Sequence, residues 1–119
     1  MIFIVDDDAA SRDSLRQLLE VEGFEACEFA GGRPFIDGVR ATDGDCLILD
    51  LNMAGMNGFD VLAELRRRGA GLPVIIVTAH ADAATRSRAA AGGALAVLEK
   101  PHRASELLAL VRRALAIEL

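Results

Sequence analysis

Apolar residues along the chain gather into five short runs, and between the runs they return every three or four positions instead. The runs are 1–5 (MIFIV), 24–29 (FEACEF), 46–49 (CLIL), 74–77 (VIIV) and 95–98 (LAVL), lengths suited to strands. Three of them show no clean alternation of apolar and polar residues, which predicts burial on both faces and so a parallel sheet. The stretches between carry helix signals at their ends. The first starts after Asp8, a side chain able to cap it, places Leu15, Leu18 and Leu19 on one face, and stops at Gly23, where a positive φ costs little. The second starts near Pro34, a residue suited to a first helical turn. The third runs from about Gly58, with Phe59, Leu62 and Leu65 inward, and ends in Arg66, Arg67, Arg68 and Gly69. Those arginines are expected to form a solvated last turn facing the negative end of the helix dipole.

The fourth helical stretch, 83–91, differs because nearly all its apolar residues are alanines, which leaves little to anchor it. In the fifth, 104–117, Ala104, Leu108, Val111 and Leu115 form one stripe, and Leu107, Leu110, Ala114 and Ile117 form a neighbouring one. Together the stripes are wider than one docked face needs. Either the second stripe is a contact surface, or Leu107 is core and Leu110 a tolerated exposed leucine. Five alternations of strand and helix predict a doubly wound, flavodoxin-like α/β fold: a five-stranded parallel sheet in the order 2-1-3-4-5 with five helices. No repeat, low-complexity tract or linker interrupts the pattern, so residues 1–119 are expected to be one domain.

Composition narrows the function classes. Of the residues, 52% are hydrophobic and 26% charged, a globular balance, and acids interrupt every apolar run before it reaches membrane-spanning length. No membrane association is expected. The net charge of −5 has the wrong sign for gripping phosphate backbones, which argues against direct nucleic-acid binding. Cys27 and Cys46 lie on strands that the predicted order separates by a third, so both should be free thiols in a reducing, cytoplasmic setting.

In a doubly wound sheet, functional groups collect at the carboxyl ends of the strands. The first strand ends in Asp6-Asp7-Asp8 and the third in Asp50. Adjacent parallel strands would set Asp6 and Asp7 beside Asp50, where like charges repel unless a cation joins them. Oxygen donors of this kind suit Mg²⁺. Helix capping explains Asp8 but not Asp6, Asp7 or Asp50. Thr78 at the end of the fourth strand and Lys100 after the fifth add a hydroxyl and an ammonium to the same rim. Acids, one cation and one hydroxyl together describe a pocket for an anionic group carried on a carboxylate, which is phosphoryl-transfer chemistry. Glycine-rich nucleotide loops are absent, and Ser11, Ser14, Ser87 and Ser105 have no histidine near them in sequence, against a serine triad.

The segments IFIVDDD, LILDLNMAGMNG, VIIVTAH and Glu99-Lys100-Pro101 together resemble the receiver domain of bacterial two-component response regulators. The spacing of Arg12, Leu15, Gly23 and Phe24 after the acids, with TAHAD after the fourth strand, is most similar to the nitrogen-fixation (FixJ-type) branch. The resemblance implies that Asp50 accepts a phosphoryl group from a sensor histidine kinase. It implies that Asp7 binds Mg²⁺ directly, that Asp6 holds it through water, and that the Asn52 backbone carbonyl completes the site. Thr78, the Ala79 backbone N–H and Lys100 would contact the phosphoryl group, and Pro101 matches the family's cis peptide. Asn52 and His80, each two positions beyond a phosphoryl-contacting residue, are expected to tune the lifetime of the phosphorylated state, although His80 also reads as a plain loop imidazole.

Three features depart from the family pattern. Ala54-Gly55 replaces the common proline after the phosphorylated strand, predicting a looser loop. Val97 replaces the aromatic residue of the usual switch, so displacement of the alanine-rich fourth helix is expected to carry the signal. The chain stops just after the fifth helix, so the output domain that controls transcription is expected to lie outside it. The resemblance makes the protein a switch that catalyses only its own phosphorylation and dephosphorylation, with phosphorylation-dependent dimerisation through helix 4, strand 5 and helix 5. Two rivals are an interaction module that signals without phosphorylation and an aspartyl-phosphate phosphatase. The complete set Asp6, Asp7, Asp50, Thr78 and Lys100 opposes the first, and Asn52, where such a phosphatase wants an acid, opposes the second.

Overall fold

The computed structural model describes residues 1–40 and 45–116, and through them strand and helix alternate as the apolar pattern predicts. The order is β1 (Ile2–Val5), α1 (Ala9–Val21), β2 (Ala26–Phe29), α2 (Gly32–Gly38), β3 (Cys46–Asp50), α3 (Gly58–Arg67), β4 (Val74–Thr78), α4 (Ala83–Ala91), β5 (Ala96–Glu99) and α5 (Ala104–Ala114). The strands are all parallel and run β2-β1-β3-β4-β5 across the sheet. Every residue of β1, β3 and β4 is buried, because helices cover both faces.

Alternate strand residues feed two cores. Phe3, Val5, Leu47, Leu49, Val74 and Ile76 point to one face and meet Phe35 of α2, Val61, Leu62 and Leu65 of α3, and Ala89 of α4. Ile2, Ile4, Cys46, Ile48, Ile75 and Val77 point to the other and meet Leu19 of α1 with Leu107, Leu108 and Val111 of α5. Cys27 pairs with Phe3 on one side of β1 while Cys46 pairs with Ile2 on the other, and both thiols are free.

The helix ends follow the local chemistry. The Asp8 carboxylate accepts from the Ser11 N–H and caps α1, and Gly23 beyond its end takes φ +89°. Asn57 and Asp60 form a reciprocal capping box on α3, and Asp82 caps α4 through the Thr85 N–H.

The structure corrects some of the sequence expectations and narrows others. Arg66 is no solvated last-turn residue: its guanidinium donates to the carbonyls of Ala70 (2.7 Å), Gly93 (2.9 Å), Gly92 (3.2 Å) and Leu72 (3.4 Å). Arg68 donates to the Ile36 carbonyl at 2.9 Å. Periodicity cannot register either bond, because the carbonyls arrive from other parts of the chain. The second α5 stripe is mostly not free surface, since Leu107 is fully buried and Leu110 and Ala114 are half-buried against the α1–α5 core. Its fourth member, Ile117, lies outside the described residues. In α3, Val61 takes the fully buried place and Phe59 is half-buried. In α1, Leu15, Leu18 and Leu19 do share one face toward the same core, Leu19 buried and the other two half-buried.

The alanine-rich α4 does bury little, with Ala89 its one buried residue. Polar ties make up part of the difference. Arg86 donates to the carbonyls of Ala81 (3.0 Å) and Val97 (3.2 Å), and the Arg88 guanidinium lies 4.1 Å over the Phe59 ring.

Candidate functional site

β1 and β3 are neighbours, so the chain leaves the sheet through Asp6 and Asp50 on one edge. Asp6 is 3% exposed and Asp50 8% exposed, whereas Asp7 stands in solvent. Carboxylate oxygens of Asp6, Asp7 and Asp50 all lie within 4.8 Å of one another. Burial in first place, and the Asp6 charge in second, raise the Asp50 pKa above the ordinary carboxylate value, opposed by the ammonium of Lys100. That ammonium sits between the acids, with Nζ 3.4 Å from Asp50 Oδ1 and 3.5 Å from Asp6 Oδ2.

Three carboxylates against one ammonium leave the cluster negative, and every donor facing its centre is a hard oxygen. This donor set fits Mg²⁺. The carboxylates are also held from outside. Asp6 Oδ1 accepts from the Asp8 N–H at 2.9 Å, and Asp7 Oδ2 accepts from the Ala54 N–H at 3.4 Å. The latter bond brings the loop after β3 over the loop after β1. Gly58 makes that loop's return possible, since a Cβ there would lie 2.8 Å from both the Asp50 carbonyl oxygen and Leu51 Cα.

β4 delivers Thr78 to the same edge, fully buried. Its hydroxyl oxygen accepts from the His80 N–H at 3.2 Å and from the Asn52 amide at 3.4 Å. Its carbonyl accepts from the Lys100 N–H at 2.8 Å, which fixes the root of the lysine beside the site. Ala79 and His80 follow in solvent. Val97 is half-buried on β5, packed toward α3 and α4. The Lys100–Pro101 peptide is cis. Asp6, Asp7, Asp50, Asn52, Thr78 and Lys100 are therefore brought together, while the His80 ring and Val97 stand outside the cluster. A groove of about 630 Å³ between α1 and the start of α5, lined by Ser11, Leu15, His102 and Lys100, opens beside it.

Two residues escape a reading of the sequence. The Glu99 carboxylate accepts from the Ala81 N–H at 2.9 Å, tying the loop before α4 to the end of β5. Arg12 donates to the Asp6 carbonyl at 2.9 Å. For Arg12 a signal existed: it lies one helical turn beyond the Asp8 cap, on the helix that the acid cluster opens.

The description "response regulator receiver domain" belongs to a protein family that matches residues 2–112. Nodulation protein W of Bradyrhizobium diazoefficiens is 36% identical over 108 residues, covering 91% of this chain and 48% of that protein. The transcriptional regulatory protein FixJ of Azorhizobium caulinodans is 36% identical over 114 residues, covering 96% of this chain and 54% of that one. The chain thus spans about half the length of the curated relatives it matches. Among solved structures, response regulator StyR superposes with a TM-score of 0.90 at 35% identity, covering 98% of this chain and 59% of that chain. FixJ-N superposes with a TM-score of 0.86 at 28% identity, covering 99% and 94%.

Proposed function

Because the chain belongs to the response regulator receiver domain family, we propose that it is the phosphoacceptor switch of a two-component phosphorelay and that Asp50 is the acceptor. Receiver domains are signalling switches rather than conventional enzymes, are phosphorylated by sensor kinases and bind Mg²⁺ at an acidic pocket. One observation carries the assignment to these residues: three carboxylates from two neighbouring strand ends lie within 4.8 Å of one another, and two of them, Asp6 and Asp50, face the Lys100 ammonium.

In the proposed reaction an Asp50 carboxylate oxygen attacks the phosphorus of a phosphohistidine on a sensor histidine kinase. The new P–O bond forms as the P–N bond breaks, and the imidazole departs and is protonated. Burial makes Asp50 a poorly solvated and so more reactive carboxylate, and Lys100 can follow charge onto the phosphoryl oxygens. Thr78 Oγ1 and the Ala79 N–H are the expected donors to those oxygens. Asp7, Asp50 and the Asn52 carbonyl would hold Mg²⁺, with Asp6 acting through water, and the ion would shield negative charge on the transferring group. The groove beside α1 leaves room for the phosphodonor.

The same proposal takes residues 1–119 as one receiver domain whose phosphorylated state acts on transcription through an output domain, as the names of several relatives suggest. Attack of water on the aspartyl phosphate should be set partly by Asn52, whose amide already reaches Thr78, and by the exposed His80. If dephosphorylation of Asn52→Ala and His80→Ala runs at the wild-type rate, that part of the proposal fails. Self-association through α4, β5 and α5 enters in reduced form, resting on half-buried Leu110 and Ala114.

The decisive test is mass measurement after incubation with a small acyl phosphate and Mg²⁺. One added phosphoryl group is expected, lost on chelation and absent from Asp50→Asn. Labelling of Asp50→Asn at the wild-type rate would reject the assignment.

A further inference from the structure

Asp7 is a solvent-exposed carboxylate on a loop of three consecutive acids, and left to itself it would turn away from Asp6 and Asp50. Two contacts oppose this. The Ala54 N–H reaches the Asp7 carboxylate, though only at 3.4 Å and from a loop with Gly55 at φ +74°. The other contact is stronger and comes from behind. Arg12 Nη1 donates at 2.9 Å to the Asp6 carbonyl, the oxygen of the peptide group that joins Asp6 to Asp7. A guanidinium fixed on that oxygen fixes the plane of the peptide, and with it the direction in which the Asp7 side chain leaves the backbone.

Arg12 is itself held at both ends. Its backbone N–H donates to the Asp8 carbonyl at 3.0 Å in the first turn of α1, and its Nε faces the Glu28 carboxylate on β2 at 3.5 Å. The side chain is 15% exposed. Arg16, one turn further along α1, binds the same Glu28 at 2.7 Å but makes no contact with the acid loop among the described residues. The two arginines therefore share an anchor and differ in whether they touch the peptide of Asp6.

We propose that Arg12 is a positioning residue for the cation site, holding the Asp6–Asp7 peptide so that the Asp7 carboxylate faces Asp6 and Asp50 before the ion arrives. The inference rests on the Mg²⁺ assignment made above. Two effects of Arg12 compete. Its positive charge should repel a dication, whereas its hold on the peptide spares the site the cost of ordering Asp7. Glu28, which Arg12 shares with Arg16, offsets only part of that charge, but among the described residues no other side chain holds the Asp6 carbonyl, so the ordering effect should outweigh the repulsion. The role proposed for Arg12 acts through the Asp6–Asp7 peptide and not through contact with the ion.

The test is a Mg²⁺ titration of the unphosphorylated protein followed by the backbone amide resonances of residues 6–8 and 50–54. Arg12→Ala should raise the half-saturating Mg²⁺ concentration by about tenfold, the low end for a group that supports a metal ligand rather than binding metal. Arg12→Lys, which can still donate to the Asp6 carbonyl but not to Glu28 as well, should fall between that variant and wild type. Arg16→Ala should titrate like wild type. Phosphorylation by a small acyl phosphate should show the same rise in Mg²⁺ requirement for Arg12→Ala, with the wild-type rate recovered at saturating Mg²⁺. Unchanged or tighter Mg²⁺ binding by Arg12→Ala overturns the inference, as does an equal loss in Arg16→Ala. If Arg12→Ala does not fold, Arg12→Lys and Glu28→Gln decide, and wild-type titration of both overturns it. Failure of wild-type protein to bind Mg²⁺ at these residues would instead reject the cation site.

Discussion

Asp50 shows what a buried carboxylate costs the protein that carries it. Its carboxylate is buried beside Asp6, so its folded pKa lies above the ordinary value of 3.8, and ionising it weighs against the fold. The sign follows from linkage. Below the unfolded pKa both states are protonated and no penalty exists; the penalty grows as pH rises through the folded pKa and is complete above it. Asp50→Asn should accordingly raise the thermal midpoint by a few degrees at pH 7 without divalent ions. That gain should vanish below about pH 3.8 and shrink when Mg²⁺ is added to the wild type, as calorimetry across pH can show. Cys46 illustrates the opposite use of burial. Its thiol is pushed up to about 12 by desolvation, so it should resist alkylation in the native protein while the half-buried Cys27 reacts first. After denaturation two thiols should titrate; finding none would contradict the strand order.

Elements are placed by a few close approaches as much as by apolar area. α3 can begin under β3 only because Gly58 has no side chain. Gly58→Ala meets backbone on both sides, which cannot yield as a side chain tip could, and should destabilise the fold by about 2 kcal/mol, measured by urea unfolding. Since the carbonyl in its way belongs to Asp50, the same variant should slow phosphorylation. Gly55→Ala, with nothing within 4 Å, should cost no more than the strain of φ +74°. Arg66 does for α4 what leucines do for other helices. Four carbonyls at the carboxyl ends of α3 and α4 and in the following turns share its guanidinium, on the side where the helix dipoles favour a cation. Arg66→Ala should raise amide exchange across Ala83–Gly93 well before it affects β1 or β3; equal protection would show that apolar contacts alone hold α4.

Across the whole molecule, the proposed phosphoryl site and the α4 edge are joined by short polar links. Thr78 binds the His80 N–H, and Glu99 binds the Ala81 N–H. Arg86 ties the start of α4 to the Ala81 and Val97 carbonyls. With Val97 too small to act as an aromatic latch, the proposed pull on Thr78 is expected to reach α4 through this loop. Because Arg66 grips Gly92 and Gly93, the amino-terminal half of α4 should move and the carboxyl end should act as the pivot. Hydrogen exchange with and without a phosphoryl mimic should change most across Ala83–Arg86. No change there, with changes confined to another helix, would reject the route. Sedimentation of the phosphorylated protein tests self-association, and a pure monomer at high micromolar concentration would remove it.

How far the sequence alone reaches is set by the range of the physics it records. Apolar period and capping residues act within one or two helical turns, so the ten elements, their order and the ends at Asp8, Gly23 and Gly58 could be read from the chain itself. Because a parallel sheet puts every strand's carboxyl end on one edge, element order alone also sent Asp6, Asp7, Asp50, Thr78 and Lys100 to one site. Contacts between groups far apart in the chain leave no such periodic mark. Arg66 looked like a solvated helix end, Leu107 could be core or contact surface, and Arg12 marked a family resemblance without a role of its own. Each was settled only when folding brought up its partner: the Gly92 and Gly93 carbonyls for Arg66, the α1–α5 core for Leu107, and the Asp6 carbonyl, pinned against β2 through Glu28, for Arg12.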